Sequence, residues 1–335
     1  MLKKITAICL IFVMLLSFGS VASAYTFNGA ENRVISSYNS MNNQVPFVNY
    51  VPNPVRKNEP TLPNMSSSQG TYNIDGNDYA DAFKGVQTKI PAIMYHKVTD
   101  NPAEVTPWVI TGEMLAQDFA EIKARGFTPI TVSEYFEMKK LSKNLFERDG
   151  YKKVAEFFKN NPKPIIITFD DGYKGIYTHA LPLMKQYNFK VNFYICGELI
   201  DTKNPEYCIW DEIKALNESG LAEIGNHTYG LHAKSKEELN TAYHMNFDVA
   251  LADINRNKDA IAINTGIDAK VFSFPYGLYD QVMIGSMINA GYEMFVSTDY
   301  RTNSLDDGQT TLGRFNRDTN YTSVQFFNLF DATKL

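Results

Sequence analysis

Ile165-Ile166-Ile167-Thr168-Phe169-Asp170-Asp171-Gly172-Tyr173 is the stretch that decides how this chain folds. Three consecutive β-branched apolar residues predict a strand buried on both faces, the signature of a parallel sheet covered by helices. Two carboxylates and a glycine follow at its C-terminal end. Adjacent acids at the tip of a buried strand repel one another unless a cation sits between them. Successive strand side chains point to opposite sides, which leaves Asp170 and Asp171 free to hold different roles. Taken alone, the stretch also fits an acidic turn of the Asx type, and the surrounding chain has to decide.

Working outward, Ile90 to Tyr95 predicts a short strand ending in His96. Thr111 is the expected N-cap of a helix in which Met114, Leu115, Phe119 and Ile122 recur at helical spacing, and Gly126 ends the run. Residues 127–132 predict a strand and Ser133 the cap of the next helix, while residues 138–163 are lysine-rich and mostly helical. Downstream, helices are predicted over 174–187, 210–219, 236–262 and 278–290, and strands over 190–195, 221–225, 270–274 and 293–297. Strands alternating with helices predict an α/β fold with a parallel sheet, here a distorted (β/α) barrel of about seven strands. A doubly wound open sheet is the alternative. In such barrels the functional groups lie at the C-terminal ends of the strands. His96, Asp170, Asp171, His227 and Phe274-Pro275-Tyr276 all fall at predicted strand ends. There is no internal repeat and no glycine-rich phosphate loop.

The first 24 residues have the form of a signal peptide: Lys3 and Lys4, an apolar run from Ile5 to Phe18, and the small-residue site Ala22-Ser23-Ala24. No other stretch is apolar enough to span a bilayer. The mature protein is therefore expected to be secreted, extracellular or attached to the cell wall. Removing the two signal lysines leaves 30 basic against 37 acidic residues, a net charge of −7. That charge disfavours nucleic acid and anionic membranes as partners and suits a neutral polymer. Residues 25–87 are rich in Asn, Ser, Tyr, Pro and Gly and hold no lasting period, which predicts a linker or loosely packed arm before a catalytic domain over 88–335. A monomer is expected. Cys196 and Cys208 are the mature cysteines; they fit either a disulfide closing a short loop or two separate buried thiols.

A second informative stretch is Glu223-Ile224-Gly225-Asn226-His227-Thr228-Tyr229-Gly230-Leu231-His232. Its histidines stand at i and i+5, about 140° apart on a helix and on opposite faces of a strand. Both can face one ion only if the intervening residues turn, which Gly230 permits. Two imidazoles and one carboxylate make a three-ligand divalent site with open positions, the pattern of a catalytic ion. A second carboxylate is then free to act as general base. A third stretch, Val271-Phe272-Ser273-Phe274-Pro275-Tyr276-Gly277, offers a turn whose Tyr276 N–H can aim at a developing oxyanion.

Thr168-Phe169-Asp170-Asp171-Gly172, then His227-Thr228 with His232, then Phe274-Pro275-Tyr276-Gly277, in this order, resemble the polysaccharide deacetylases, the NodB homology domain of carbohydrate esterase family four. The resemblance covers residues 88–320. It implies a distorted (β/α) barrel and metal-dependent removal of acetyl groups from a polysaccharide. By that resemblance Asp170 is the general base, Asp171, His227 and His232 hold the metal, and Pro275 and Tyr276 lie at the substrate. The common family pattern spaces its histidines at i and i+4 and ends on a late acid histidine. Here the spacing is i and i+5, and no histidine follows His244. Met94-Tyr95-His96-Lys97-Val98 matches instead the first-strand motif of the poly-β-1,6-N-acetylglucosamine deacetylases, which implies His96 as general acid. The late segment Leu312-Gly313-Arg314 is assigned to the substrate side with an arginine near Asp170. His179 and His244 are expected at the surface. Zinc, cobalt and nickel all suit two histidines and an aspartate. The implied reaction is deacetylation of a glycan containing N-acetylglucosamine; O-acetyl esterase action on acetylated xylan and a glycan-binding domain without chemistry are the alternatives.

Overall fold

The computed structural model describes residues 89–142, 148–232, 234–245 and 247–330. The expected signal peptide (residues 1–24) and arm (residues 25–87) lie outside them. Chain order runs β1 (Ala92–Tyr95), β2 (Lys97–Thr99), β3 (Val109–Thr111), α1 (Gly112–Ala124), β4 (Thr128–Ile130), α2 (Val132–Ser142), α3 (Arg148–Asn160), β5 (Pro164–Phe169), α4 (Leu181–Tyr187), β6 (Val191–Ile195), α5 (Gly197–Asp201), α6 (Trp210–Glu218), β7 (Ala222–Asn226), α7 (Lys236–Met245), α8 (Phe247–Thr265), β8 (Val271–Ser273), α9 (Gln281–Asn289), β9 (Met294–Val296), β10 (Thr311–Leu312), β11 (Phe315–Asn316) and α10 (Ser323–Phe327).

All six residues of β5 are buried, as its apolar run demands. The strand order is β10-β9-β8-β7-β6-β5-β1-β11, every pairing parallel, with β4 paired to β5 as a ninth strand. One edge of β5 carries β1 along its length; the other is shared, β4 meeting residues 164–166 and β6 meeting Thr168 and Phe169. Side chains alternate across the sheet. Ile165, Ile167 and Phe169 pack outward with Ile93, Phe193 and the helices, including Phe119 and Ile122 of α1. Ile166 packs inward with Ala92, Ile130, Tyr194, Val271, Val296 and Leu312, which come from strands spread across the whole sheet. Only a curled sheet brings them together, so the barrel expectation holds over the open-sheet alternative. The edge strands β10 and β11 are joined by Gly313 and Arg314 alone, so the chain itself spans the seam.

The seven expected strands are present, and two more extend the sheet at its two edges. β10 and β11 have two residues each, too short for any periodicity to show. Thr111 caps α1 as expected, accepting from the Met114 N–H at 3.1 Å. The cap of α2 is Thr131, not Ser133: Thr131 Oγ1 accepts from the Glu134 N–H at 3.1 Å, and the Thr131 N–H returns to Glu134 Oε2 at 2.8 Å. The predicted helix over 236–262 is helical throughout its described residues, as α7 and α8. Among the described residues no helix is long and apolar enough to cross a membrane.

Candidate active site

The register of β5 sets the site. Tyr95 pairs with Phe169, and the Asp170 N–H continues that ladder to the Tyr95 carbonyl at 3.0 Å. His96 and Asp170 therefore leave neighbouring strands at the same level. Asp170 follows Ile166 and Thr168 on the inner face, as alternation requires. Asp171 does not simply take the opposite face: its φ of 72° leaves the strand in a left-handed turn that Gly172 continues at 93°. This turn, rather than the pleat, separates the two carboxylates.

Asp171, His227 and His232 each offer a ligand atom within 4.8 Å of the others. Asp171 Oδ1 lies 2.9 Å from His232 Nε2 and 3.5 Å from His227 Nε2. His227 ends β7, and its Nδ1 is 2.7 Å from the Ser273 carbonyl, which fixes a proton on Nδ1 and leaves the Nε2 lone pair facing the carboxylates. Asp171 Oδ1 is buried and forms no hydrogen bond. The His227 lone pair, the His232 Nε2 and an orphaned carboxylate oxygen, all within 4.8 Å of one another, fit a divalent ion. Burial works against ionising Asp171, but the two imidazoles beside it hold its carboxyl well below the usual range. Burial lowers the proton affinity of His227, and the carboxylates of Asp170 and Asp171 outweigh it to raise the pKa. Both shifts describe a site that demands positive charge.

The turn between the histidines differs from the expected one. Thr228, not Gly230, takes the left-handed conformation, with φ of 72°. Thr228 Oγ1 accepts from the His232 N–H at 3.1 Å, and Asn226 Oδ1 accepts from the Thr228 N–H at 2.8 Å. Gly230 lies under the Glu198 carboxylate: a Cβ there would stand 2.9 Å from Oε2, the movable end of that side chain. From α8, Asp253 accepts the Tyr229 and Gly230 N–H groups at 2.8 and 3.0 Å. No sequence motif marks Asp253, because its partners are backbone amides on a distant element.

Asp170 is 2 % exposed and lies 3.8 Å through Oδ2 from His227 Nε2. Arg314 grips it with two parallel bonds, Nη1 to Oδ1 at 2.7 Å and Nη2 to Oδ2 at 2.9 Å. Burial would raise the Asp170 pKa, and the Arg314 guanidinium overturns that to hold it below the usual carboxylate value. Arg314 itself is 1 % exposed and also donates to Thr168 Oγ1, Ser273 Oγ and the Ser297 carbonyl. It stands beside Asp170 as expected, but its burial and its full set of partners remove it from the substrate-facing role assigned to it from the sequence.

His96 follows β1, half-buried, with its ring edge-on to Trp108 at 5.0 Å between centroids. Its Nδ1 is buried without a hydrogen-bond partner. Burial lowers its pKa more than Asp171 and Asp170 raise it. Pro275 is buried and Tyr276 sits in a left-handed turn, φ 55°, with its ring 4.7 Å from that of His232. Gly277 follows at φ 70°, where a Cβ would strike Thr298 Oγ1. Three non-glycine residues of the site, Asp171, Thr228 and Tyr276, thus hold strained backbone, as functional loops do. His179 is only partly exposed, its Nε2 lying 3.5 Å from Asp100, whereas His244 is half exposed; neither joins the cluster. Cys196 and Cys208 are buried free thiols, so the two-thiol reading holds.

Residues 158–295 match the polysaccharide deacetylase family. The poly-beta-1,6-N-acetyl-D-glucosamine N-deacetylase of Escherichia coli strain K12 is 24% identical over 240 residues, 62% of this chain and 34% of the relative. This chain thus spans about a third of that protein's length. The Staphylococcus aureus enzyme of the same name, from strain MSSA476, is 28% identical over 144 residues, 42% of this chain and 49% of the relative. Among solved structures, IcaB from Ammonifex degensii superposes with a TM-score of 0.57 at 20% identity, covering 72% of this chain and 96% of that one. The matched span runs from α3 to β9 and so carries Asp170, Asp171, His227, His232 and the Phe274–Gly277 turn, with His96 and Arg314 outside it. A barrel whose strand tips gather these residues, and whose central span matches that family, identifies the chain as carrying a polysaccharide deacetylase domain.

Proposed function

We propose that this chain is an exported, metal-dependent deacetylase that hydrolyses the N-acetyl groups of a glycan containing N-acetylglucosamine, poly-β-1,6-N-acetylglucosamine or a cell-wall glycan. The observation that carries the reading is the division of labour at one strand tip: Asp171 joins His227 and His232, while Asp170 is held apart by Arg314. Both E. coli and S. aureus relatives bear the name of a poly-beta-1,6-N-acetyl-D-glucosamine N-deacetylase, which supports the linkage. Export rests on the signal-like first 24 residues.

Asp171, His227 and His232 would hold a divalent ion, with zinc, cobalt and nickel all suited to the donor set. When bound, such an ion supplies Lewis acidity, polarising a carbonyl oxygen and making a water easier to deprotonate. Asp170, kept ionised by Arg314, takes the proton from the attacking water. The Tyr276 N–H donates to the oxyanion that forms on the acetyl carbonyl. His96, at the level of Asp170 on the neighbouring strand, gives its proton to the departing sugar amine.

Acetate release from a panel of acetylated glycans tests the proposal directly. Release from β-1,6-linked N-acetylglucosamine oligomers, lost with chelator and restored by zinc, cobalt or nickel, is expected. Release from acetylated xylan alone would make the enzyme an O-acetyl esterase, and binding without acetate would make the domain a glycan binder. His96→Ala is expected to keep its metal and lose about 10²-fold in rate, the low end for general acid catalysis. Burial lowers the His96 pKa, which works against its acid form. An unchanged rate would remove His96 from proton transfer. Asp253→Ala frees the Tyr229 and Gly230 amides between the two histidines. It should weaken metal binding by about 10–100-fold in competition with a chromogenic chelator, the usual effect of losing an outer-shell partner. Wild-type affinity would show that the loop holds its shape without Asp253.

A further inference from the structure

Among the described residues, the exposed large aromatics are Trp108, Tyr276, Tyr300 and Tyr321. Each sits on a connection leaving the C-terminal end of the sheet: Trp108 beyond β2, Tyr276 after β8, Tyr300 after β9 and Tyr321 after β11. Trp108 is distinguished by how firmly it is held while 54% exposed. Its carbonyl accepts from the Lys97 N–H at 3.3 Å, and its N–H donates to Thr106 Oγ1 at 3.2 Å. Thr106 and Val109 close a reciprocal bridge around it, at 3.1 and 3.2 Å. Asn316 on β11 fixes the preceding Pro107 carbonyl at 2.8 Å. A single exposed indole is ordinary on a protein surface. One pinned by the β2–β3 ladder and set edge-on to His96 at 5.0 Å is placed for contact.

The chemistry says what the contact is with. For His96 to protonate an amine, the nitrogen must come within about 2.6–3.2 Å of the imidazole. That nitrogen is bonded directly to a pyranose carbon, so the sugar ring must lie within a few ångströms of His96, over the neighbouring indole. The axial C–H groups of a β-linked N-acetylglucosamine ring form an apolar face that matches an aromatic surface, and an indole offers the largest such surface at little entropic cost. The geometry points to Trp108 as the stacking platform for the pyranose whose amide is cleaved, a specificity-determining residue that selects a β-linked amino-sugar chain. This inference rests on the deacetylase reading and adds the surface that orients the sugar.

The chain contains two tryptophans, Trp108 and Trp210. Trp210 lies on α6 with its indole N–H bound to Asp201, so Trp210→Phe leaves Trp108 as the sole indole reporter. In the metal-loaded Trp210→Phe protein, rapid mixing with β-1,6-linked N-acetylglucosamine tetramer is expected to give a saturable fluorescence change before turnover. In steady-state acetate release, Trp108→Ala is expected to raise KM by about tenfold, the scale of an aromatic contact. Its kcat should change less than threefold, and Trp108→Tyr should recover most of the loss. An unchanged KM with a silent fluorescence signal, in an enzyme that still releases acetate, overturns the platform and leaves the deacetylase standing. A fall in kcat at constant KM also overturns it, assigning Trp108 to holding His96 instead. Failure of the wild type to bind or deacetylate any amino-sugar oligomer defeats the deacetylase reading and the platform together.

Discussion

Asp170→Asn is expected to hold its metal at the wild-type level while acetate release falls by about 10⁴-fold, the upper end for a lost general base. The upper end applies because no other carboxylate can step in: Asp171 is turned toward the two imidazoles and is not free to accept a proton. Asp170 keeps that capacity in the wild type even with both oxygens bonded to Arg314, since an ionised carboxylate offers about four acceptor sites. The substitution preserves shape but not charge. It leaves a buried guanidinium facing a neutral amide whose NH₂ cannot accept a hydrogen bond, so stability should fall by about 3 kcal/mol, the low end for breaking a buried pair. For a domain of this size that lowers Tm by roughly 6–12 °C. Metal analysis, calorimetry and acetate assays below the lowered Tm separate these effects. Near-normal turnover would sink the base assignment, and loss of the metal would move Asp170 into the ligand set.

The sequence carried the site more fully than it carried the scaffold that holds it. Ile165 to Asp171 announces both a buried parallel strand and the carboxylate pair at its tip, because a β-branched run and adjacent acids are local signals. The i, i+5 histidines were legible as a pair, but not which residue bends the chain between them. Thr228 adopts the left-handed turn because Asn226 and its own hydroxyl tie it there, and such ties are visible only in three dimensions. β10 and β11, each two residues long, are made strands by the neighbours they pair with, not by their own pattern. Arg314 shows the same limit. Its presence near Asp170 could be guessed from the chain, yet whether it meets substrate or fills the barrel depends on β9, β10 and β11 meeting at the seam. A buried polar residue anchored by distant partners leaves no periodic trace.

Arg314→Met is expected to damage folding and catalysis at once, in a way that locates its role. All five guanidinium N–H groups have an acceptor: the Ser297 carbonyl, Thr168 Oγ1, Ser273 Oγ and both oxygens of Asp170. Methionine fills the space but satisfies none of them, and it strands a buried carboxylate, so the loss should reach about 3–5 kcal/mol. The catalytic consequence follows from the same carboxylate. In the wild type the guanidinium outweighs burial and keeps the Asp170 pKa below its ordinary value. Without it the pKa rises, and a protonated Asp170 cannot take a proton from water. The rate at neutral pH should therefore drop by about 10²-fold or more and climb as the pH is raised, because deprotonation restores the base. Combining Arg314→Met with Asp170→Asn removes both charges. The double variant should be more stable than the sum of the two single losses allows, by up to about 3 kcal/mol of coupling. Its activity should be no higher than that of Asp170→Asn alone. Recovered stability without recovered rate identifies Arg314 as the residue that keeps the base ionised. A strictly additive cycle, with the rate of Arg314→Met unchanged at pH 7, would mean that Asp170 holds its charge without the arginine.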